Sequence, residues 1–138
     1  MARIKHIALT TANPDKVAAF YKAAFDLQEI HRSPSGAVFL SDGYINLAIL
    51  NHKTEQDADV GANGPNYNGI HHFGFEVDNL DEAGEKIRAA QGHALGTRED
   101  ALATPMIPGE YRNFEMKWAG PDDVVIDISH TGWITSAQ

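Results

Sequence analysis

The sequence predicts an α+β fold built from one duplicated unit, and three observations carry that reading. Lys5-His6-Ile7-Ala8-Leu9 returns as His71-His72-Phe73-Gly74-Phe75, 66 positions further on. The same offset runs without a gap through Asn13/Asn79 and Asp15/Asp81 to Lys22/Arg88 and Ala23-Ala24/Ala89-Ala90, so a strand and the helix after it repeat together. Between these landmarks the apolar residues switch from alternation to helical spacing and back, which is the signature of strands and helices in succession. At 138 residues the chain holds one core but not two with a linker, so residues 1–138 read as a single domain, module 1 over about 1–64 and module 2 over about 65–138.

Ile4 to Thr10 alternates and opens as a strand. Asn13-Pro14-Asp15 starts a helix: Asn13 caps it, Pro14 suits the first turn, and Val17, Phe20, Tyr21 and Ala24 recur at the spacing that covers a sheet, with Asp26 closing it. Strands follow near Gln28 to Arg32, Ala37 to Leu40 and Tyr44 to Leu50, separated by Ser33-Pro34-Ser35-Gly36 and Ser41-Asp42-Gly43 turns. His52 to Asn68, polar and broken by Gly61, Gly64 and Pro65, connects the halves. The second half repeats the order with a strand over Ile70 to Val77, a helix over Asp81 to Ala90 behind Asp78-Asn79, and strands over Asn113 to Ala119 and Val124 to Ser129. Matching Tyr44–Ala48 to Val125–Ser129 needs an offset of 81, so the second half carries about 15 extra residues, mostly between Gly96 and Arg112, as a loop over a pocket or a longer hairpin.

Composition narrows the partner. Hydrophobic residues make up 43% and charged residues 22% of the chain, with no apolar run near the roughly 20 residues of a membrane span. Cysteine is absent, which removes disulfides and thiolate metal sites, and no secretory h-region opens the chain, so a cytoplasmic location is expected. A net charge of -8 disfavours nucleic acid and anionic membrane surfaces and leaves a small molecule as the expected partner.

Alternation then sorts the side chains. In five of the strands one face is apolar: Ile7 and Leu9; Ile45, Leu47 and Ile49; Phe73, Phe75 and Val77; Phe114, Met116 and Trp118; Ile126 and Ile128. The other collects His6 and Thr10; Asn46; His72, Gly74 and Glu76; Asn113, Glu115 and Lys117; Asp127 and Ser129. So polar a face either meets solvent or walls a polar cavity. His6, His72 and Asp127 share it, and two neutral imidazoles with one carboxylate form the facial set used for Fe(II) oxygen chemistry, a set that Mn or Zn also occupies. His71 alternates to the helix side beside Phe73, which favours His72 as the ligand. His130, at the end of the last strand, is either a proton shuttle or a residue bonded to backbone. Tyr44, Tyr111 and Arg112 are candidate substrate contacts, with Trp133 and the Met106 to Arg112 segment as entrance lining and Arg112 suited to a carboxylate.

These residues resemble the vicinal oxygen chelate superfamily of glyoxalases, bleomycin-resistance proteins and extradiol dioxygenases. The likeness lies in His6-Ile7-Ala8-Leu9 before Asn13-Pro14-Asp15 and Ala19-Phe20-Tyr21, in Gly69-Ile70-His71-His72-Phe73-Gly74-Phe75-Glu76-Val77-Asp78, and in Trp118-Ala119-Gly120-Pro121-Asp122-Asp123-Val124-Val125-Ile126-Asp127-Ile128. It implies two βαβββ modules curled into a cup around one divalent metal. His6 and His72 match the first-strand ligands, and Asn46 and Asp127 the last-strand positions, Asn46 as a further ligand or substrate contact. Aspartate at 127 stands where the family usually has glutamate, asparagine at 46 where its lyases have Glu or Gln, and Lys117 where its ring-cleaving members have tyrosine.

The expected activity is a non-haem Fe(II) dioxygenase acting on a substrate with vicinal oxygens. The alternatives are a glyoxalase-like lyase or epimerase on Zn, Ni, Co or Mn, with Glu76 or Glu115 moving the proton, and a metal-free protein that sequesters a small molecule. Lys117 is expected to hydrogen-bond a substrate oxygen, and the resemblance implies a homodimer.

Overall fold

The computed structural model describes residues 1–105, 108 and 113–137. Strand β1 (Arg3–Thr11) leads into helix α1 (Pro14–Phe25), then β2 (Gln28–Arg32), β3 (Val38–Ser41) and β4 (Asn46–Asn51). After the connector come β5 (Gly69–Glu76), α2 (Leu80–Ala89), β6 (His93–Ala94), α3 (Arg98–Ala103), β7 (Met116–Ala119) and β8 (Val125–Ser129). Helix α3 falls in the extra segment of the second half and the short β6 just before it, and both lie outside the elements the sequence predicts. A two-residue strand leaves no alternation to read. β7 begins at Met116 rather than Asn113, and the Asn113 side-chain amide donates to Ser129 Oγ and the Gly132 carbonyl.

The strands of the described residues form one eight-stranded sheet in the order β2-β3-β4-β1-β5-β8-β7-β6. The order is palindromic in the repeat: each first strand pairs parallel with its module's last strand, and β1 and β5 pair antiparallel at the centre. Duplication therefore sets His6 and His72 on neighbouring strands within one chain.

Both helices start as the sequence predicts. Asn13 accepts from the Lys16 amide and Asn79 from the Glu82 amide, and Asp26 ends α1 in the left-handed region, its N–H on the Lys22 carbonyl. The buried stripe of α1 is rotated from expectation: Pro14 and Ala18 are buried with Val17 and Tyr21 packed beside them, while Phe20 and Ala24 face outward. Each helix covers its own half of the sheet. Leu9, Ala18, Val38, Leu40 and Ile49 form one core, and Val77, Leu80, Trp118 and Ile128 the other. With the apolar face used twice in this way, the polar face is left to wall a cavity of about 900 Å³.

Register shifts interrupt the β1–β5 ladder at two places. Lys5 is the extra residue between the Ile4–Phe75 and His6–Gly74 pairs, and His71 the extra residue between the Ala8–His72 and Leu9–Ile70 pairs. Both are β-bulges, both stand immediately before a site histidine, and they are equivalent in the repeat. A bulge re-aims side chains and locally defeats strict alternation.

Candidate metal centre

Strand register builds the site as a lateral row. Asn46 lies opposite His6, His6 opposite Gly74, Gly74 opposite Asp127 and Asp127 opposite Lys117. His72 sits beside this row on β5. His6 Nε2 lies 3.4 Å from His72 Nε2, and His72 Nε2 lies 3.1 Å from Asp127 Oδ2. These donor atoms all fall within 4.8 Å of one another, and all three residues are buried. Ligands about 2.0–2.2 Å from a shared ion stand roughly 3–3.5 Å apart at tetrahedral or octahedral angles, so the spacing suits a single metal.

Asn46 donates its Nδ2 to the Ile134 carbonyl at 2.9 Å, which turns Oδ1 toward His6 Nδ1, also at 2.9 Å. An amide oxygen only accepts, so His6 carries its proton on Nδ1 and presents a bare Nε2. Burial, then the neighbouring His72, lowers the His6 pKa to about 4, which keeps the ring neutral. On the other side, His71 Nε2 meets the Val60 carbonyl at 3.0 Å and must donate, leaving His71 Nδ1 to accept from His72 Nδ1 at 2.7 Å. A neutral His72 then also presents a bare Nε2. Asp127 is held well below the usual carboxylate range: its burial opposes this, but the Lys117 ammonium and then His72 outweigh it. Three lone-pair donors converge on one gap, an arrangement that can hold one metal ion.

Each donor has an orienting partner, as metal ligands commonly do: Asn46 for His6, His71 for His72, and Lys117 for Asp127, with Nζ at 3.2 and 3.3 Å from its two oxygens. Asn46 is thus engaged at both ends of its amide rather than free to ligate. Lys117 also reaches Asp59 Oδ2 at 3.1 Å and Glu115 Oε2 at 3.5 Å. Its own burial opposes the charge, yet the three carboxylates raise its pKa and hold it as a cation. Asp59 is pulled down to about 2: burial acts against this, and Lys117 and then Lys53, at 3.2 Å, overcome it. A second group, Asp59 with His71 and His72, is also compact. Its carboxylate already carries two ammonium groups and its imidazoles already bond each other, so it offers no comparable gap.

Trp133 closes one side. Its indole stacks on His6 with ring centroids 4.8 Å apart and planes 4° from parallel, and its N–H donates to Glu115 Oε1 at 2.9 Å. Gly74 makes room for it, because a Cβ there would stand 2.7 Å from the indole. Glu115 is shifted upward, by burial first and then by Asp127. The remaining cavity wall pairs apolar Phe39, Ala48 and Leu50 with Leu95 and with α3 residues from the described part of the extra segment.

Of the residues singled out from sequence, the fold gathers His6, His72, Asp127, Asn46, Glu115 and Lys117. It leaves three outside. Tyr44 is half exposed under the Lys5 ammonium, Glu76 packs against Gly132, and exposed His130 lies against the Phe114 ring. None of the three lines the cavity. Tyr111, Arg112 and most of the Met106 to Arg112 segment lie outside the described residues. His71 departs from expectation, since its bulge brings the ring onto His72 instead of beside Phe73. Asp59 and Lys53 come from the connector, where no periodicity marks them.

Comparison with known proteins agrees with this architecture. The family description Glyoxalase/Bleomycin resistance protein/Dioxygenase superfamily matches residues 3–108, and the chain belongs to that superfamily. No curated protein matches it in sequence. A methylmalonyl-CoA epimerase solved with methylmalonyl-CoA and NH4+ is similar in structure, with a TM-score of 0.65 at 20% identity over 100% of this chain and 99% of that one. The hypothetical protein BH1468 from Bacillus halodurans C-125 gives 0.64 at 15% identity, covering 93% of each chain. The 2,3-dioxygenase LapB from Pseudomonas sp. KL28 gives 0.63 at 17% identity over 97% of this chain and 42% of its own. At these identities the likeness is one of fold.

Proposed function

We propose that this member of the superfamily is a metal-dependent enzyme of small-molecule substrates, its ion held by His6 Nε2, His72 Nε2 and Asp127 Oδ2. The observation that carries the reading is the convergence of three lone-pair donors on one gap. The favoured reaction is that of a non-haem Fe(II) dioxygenase acting on a substrate with two vicinal oxygens. Supporting it, the Asn46 amide is used on His6 and Ile134, which leaves a set of two histidines and one carboxylate rather than four ligands. When bound there, Fe(II) supplies Lewis acidity and the redox capacity that oxygen chemistry requires. The chain's own residues do the rest. Phe39, Ala48 and Leu50 bind the apolar body, Trp133 shields His6 from water, and the Lys117 ammonium is placed to hold an anionic substrate oxygen beside Asp127.

One observation favours a second reading. Glu115 is a partly exposed carboxyl at the cavity wall, shifted toward protonation and held by the indole N–H, so it is suited to move a proton in an epimerase or lyase. Elemental analysis of tag-free protein before and after loading with Fe(II), Mn(II) or Zn(II) tests the common premise, with about one ion per chain expected. Oxygen uptake with a catechol by the Fe(II) form separates the two reactions. Uptake supports the dioxygenase; substrate deuterium exchange without oxygen, blocked by Glu115→Gln, supports the epimerase. An ion-free protein after loading leaves only a sequestering role. A second copy of the chain is the expected partner, and sedimentation velocity checks it.

A further inference from the structure

We infer that His71 is a positioning residue: through its Nδ1 it holds the His72 ring so that Nε2 alone faces the gap, the service Asn46 gives His6. This rests on the proposed metal reading for its consequence, though not for its geometry.

His71 corresponds to Lys5 in the repeat, and both are bulge residues that precede a site histidine. In a regular strand, neighbouring side chains point to opposite faces and cannot meet. The bulge removes that restriction, and His71 Nδ1 reaches His72 Nδ1 at 2.7 Å with the rings nearly perpendicular, at 86°. The direction of this bond is set from outside the site. Val60 presents a carbonyl oxygen to His71 Nε2 at 3.0 Å, so the His71 proton stays on Nε2 and its Nδ1 can only accept. The connector carries that carbonyl to the ring over Gly61, whose φ is +80° and whose added Cβ would meet Val125 at 3.0 Å. The chain Val60 carbonyl, His71, His72 therefore runs one way and ends at a bare Nε2. Asn46 does the same for His6 with an amide anchored on Ile134. Two unrelated side chains, one from the last strand of the first module and one from a bulge, perform one task on equivalent histidines. An imidazole partner of this kind typically changes metal affinity by about 10–100-fold when lost.

The test compares wild type with His71→Phe, which keeps the ring volume without an acceptor, and with His71→Asn, whose side-chain oxygen can stand near the Nδ1 position. Nitrogen-15 NMR of selectively labelled histidines is recorded on the metal-free and Zn(II)-loaded wild-type protein. A coupling across the hydrogen bond between His72 Nδ1 and His71 Nδ1, with the proton on His72, is expected in both forms. Zn(II) affinity is expected to fall about 10–100-fold in His71→Phe and to recover largely in His71→Asn. A His72 protonated on Nε2 alone, or equal Zn(II) affinity in wild type and His71→Phe, overturns the inference while leaving the metal reading intact. The expected coupling in a wild-type protein that takes up no metal does the reverse, keeping the positioning role and overturning the metal reading.

Discussion

The two halves of the molecule share a strand, a helix and a histidine, yet they equip the site differently. The first half contributes His6, the neutral Asn46 and the apolar wall of Phe39, Ala48 and Leu50. The second contributes His72 with Asp127, Lys117 and Glu115, so the charged groups of the row lie on one side of the pseudo-symmetry axis, joined by Lys53 and Asp59 from the connector. Duplication supplies geometry twice, and side-chain chemistry then divides the work: the first half supplies neutral groups and an apolar wall, the second supplies the charge. In the proposed site, an ion between the halves would draw a neutral donor from one and a neutral and an anionic donor from the other.

Moving the charge across the axis is the most forceful way to break this comparison. Asp127→Asn removes the single anionic donor and should weaken Zn(II) or Mn(II) binding by more than the roughly 100-fold upper range for loss of an orienting partner. If the halves were interchangeable, adding Asn46→Asp would restore binding. We expect no restoration, because a carboxylate at 46 would still accept from His6 Nδ1 and Lys117 would remain opposite position 127. Isothermal titration of the double variant decides, and recovery of wild-type affinity would mean that position within the repeat, not the local partner, sets the role.

Packing offers a second contrast. Gly74 corresponds to Ala8, and only the second half requires glycine, since Trp133 lies against Gly74 while Ala8 fits fully buried in its place. Gly74→Ala should cost about 1–3 kcal/mol through overpacking, displace the indole from His6 and alter tryptophan fluorescence. Denaturant unfolding checks the stability, and an unchanged midpoint would show that the close approach is not required.

The connector belongs electrostatically to the second half, and pH exposes this. The Asp59 pKa in the folded protein is about 2 against an ordinary 3.8, so its stabilising contribution is complete above the ordinary value and is lost as pH falls from there through about 2. The shift corresponds to about 2 kcal/mol. Asp59→Asn should flatten the loss of stability across that acid window and leave the slope at neutral pH unchanged. A variant with the wild-type acid slope would remove Asp59 from the coupling with Lys117 and Lys53.

What the sequence made legible follows the same division between regular and irregular backbone. Alternation on β1, β5, β7 and β8 is enough to put His6, His72, Lys117 and Asp127 on one face, because period two is rigid wherever the ladder is regular, and Glu115 follows the same phase just before β7. It misplaced His71 because a bulge shifts the period by one residue without leaving a compositional mark. Asp59 and Lys53 were hidden in a polar connector where nothing distinguishes a buried ion pair from a solvated loop. Tyr44 and His130 stand at strand ends, where alternation no longer says which way a side chain points. The outward turn of Phe20 is a similar case: helical spacing allowed two stripes, and packing selected the one through Ala18.

The smallest expected effect isolates the bulges themselves. Lys5 and His71 occupy the same place in the repeat, but the Lys5 ammonium lies 3.7 Å over the exposed Tyr44 ring, outside the cavity. Lys5→Ala gives up a surface cation–π contact worth about 0.5–1 kcal/mol and keeps the backbone bulge. Zn(II) affinity should therefore match wild type, while His71→Phe, at the equivalent position, lowers it. Parallel titrations of the two variants make the contrast direct. Equal losses would assign the effect to the bulged backbone shared by both strands. A loss confined to His71→Phe assigns it to the imidazole, and the second half then differs from the first by a side chain placed where strand alternation alone would not put it.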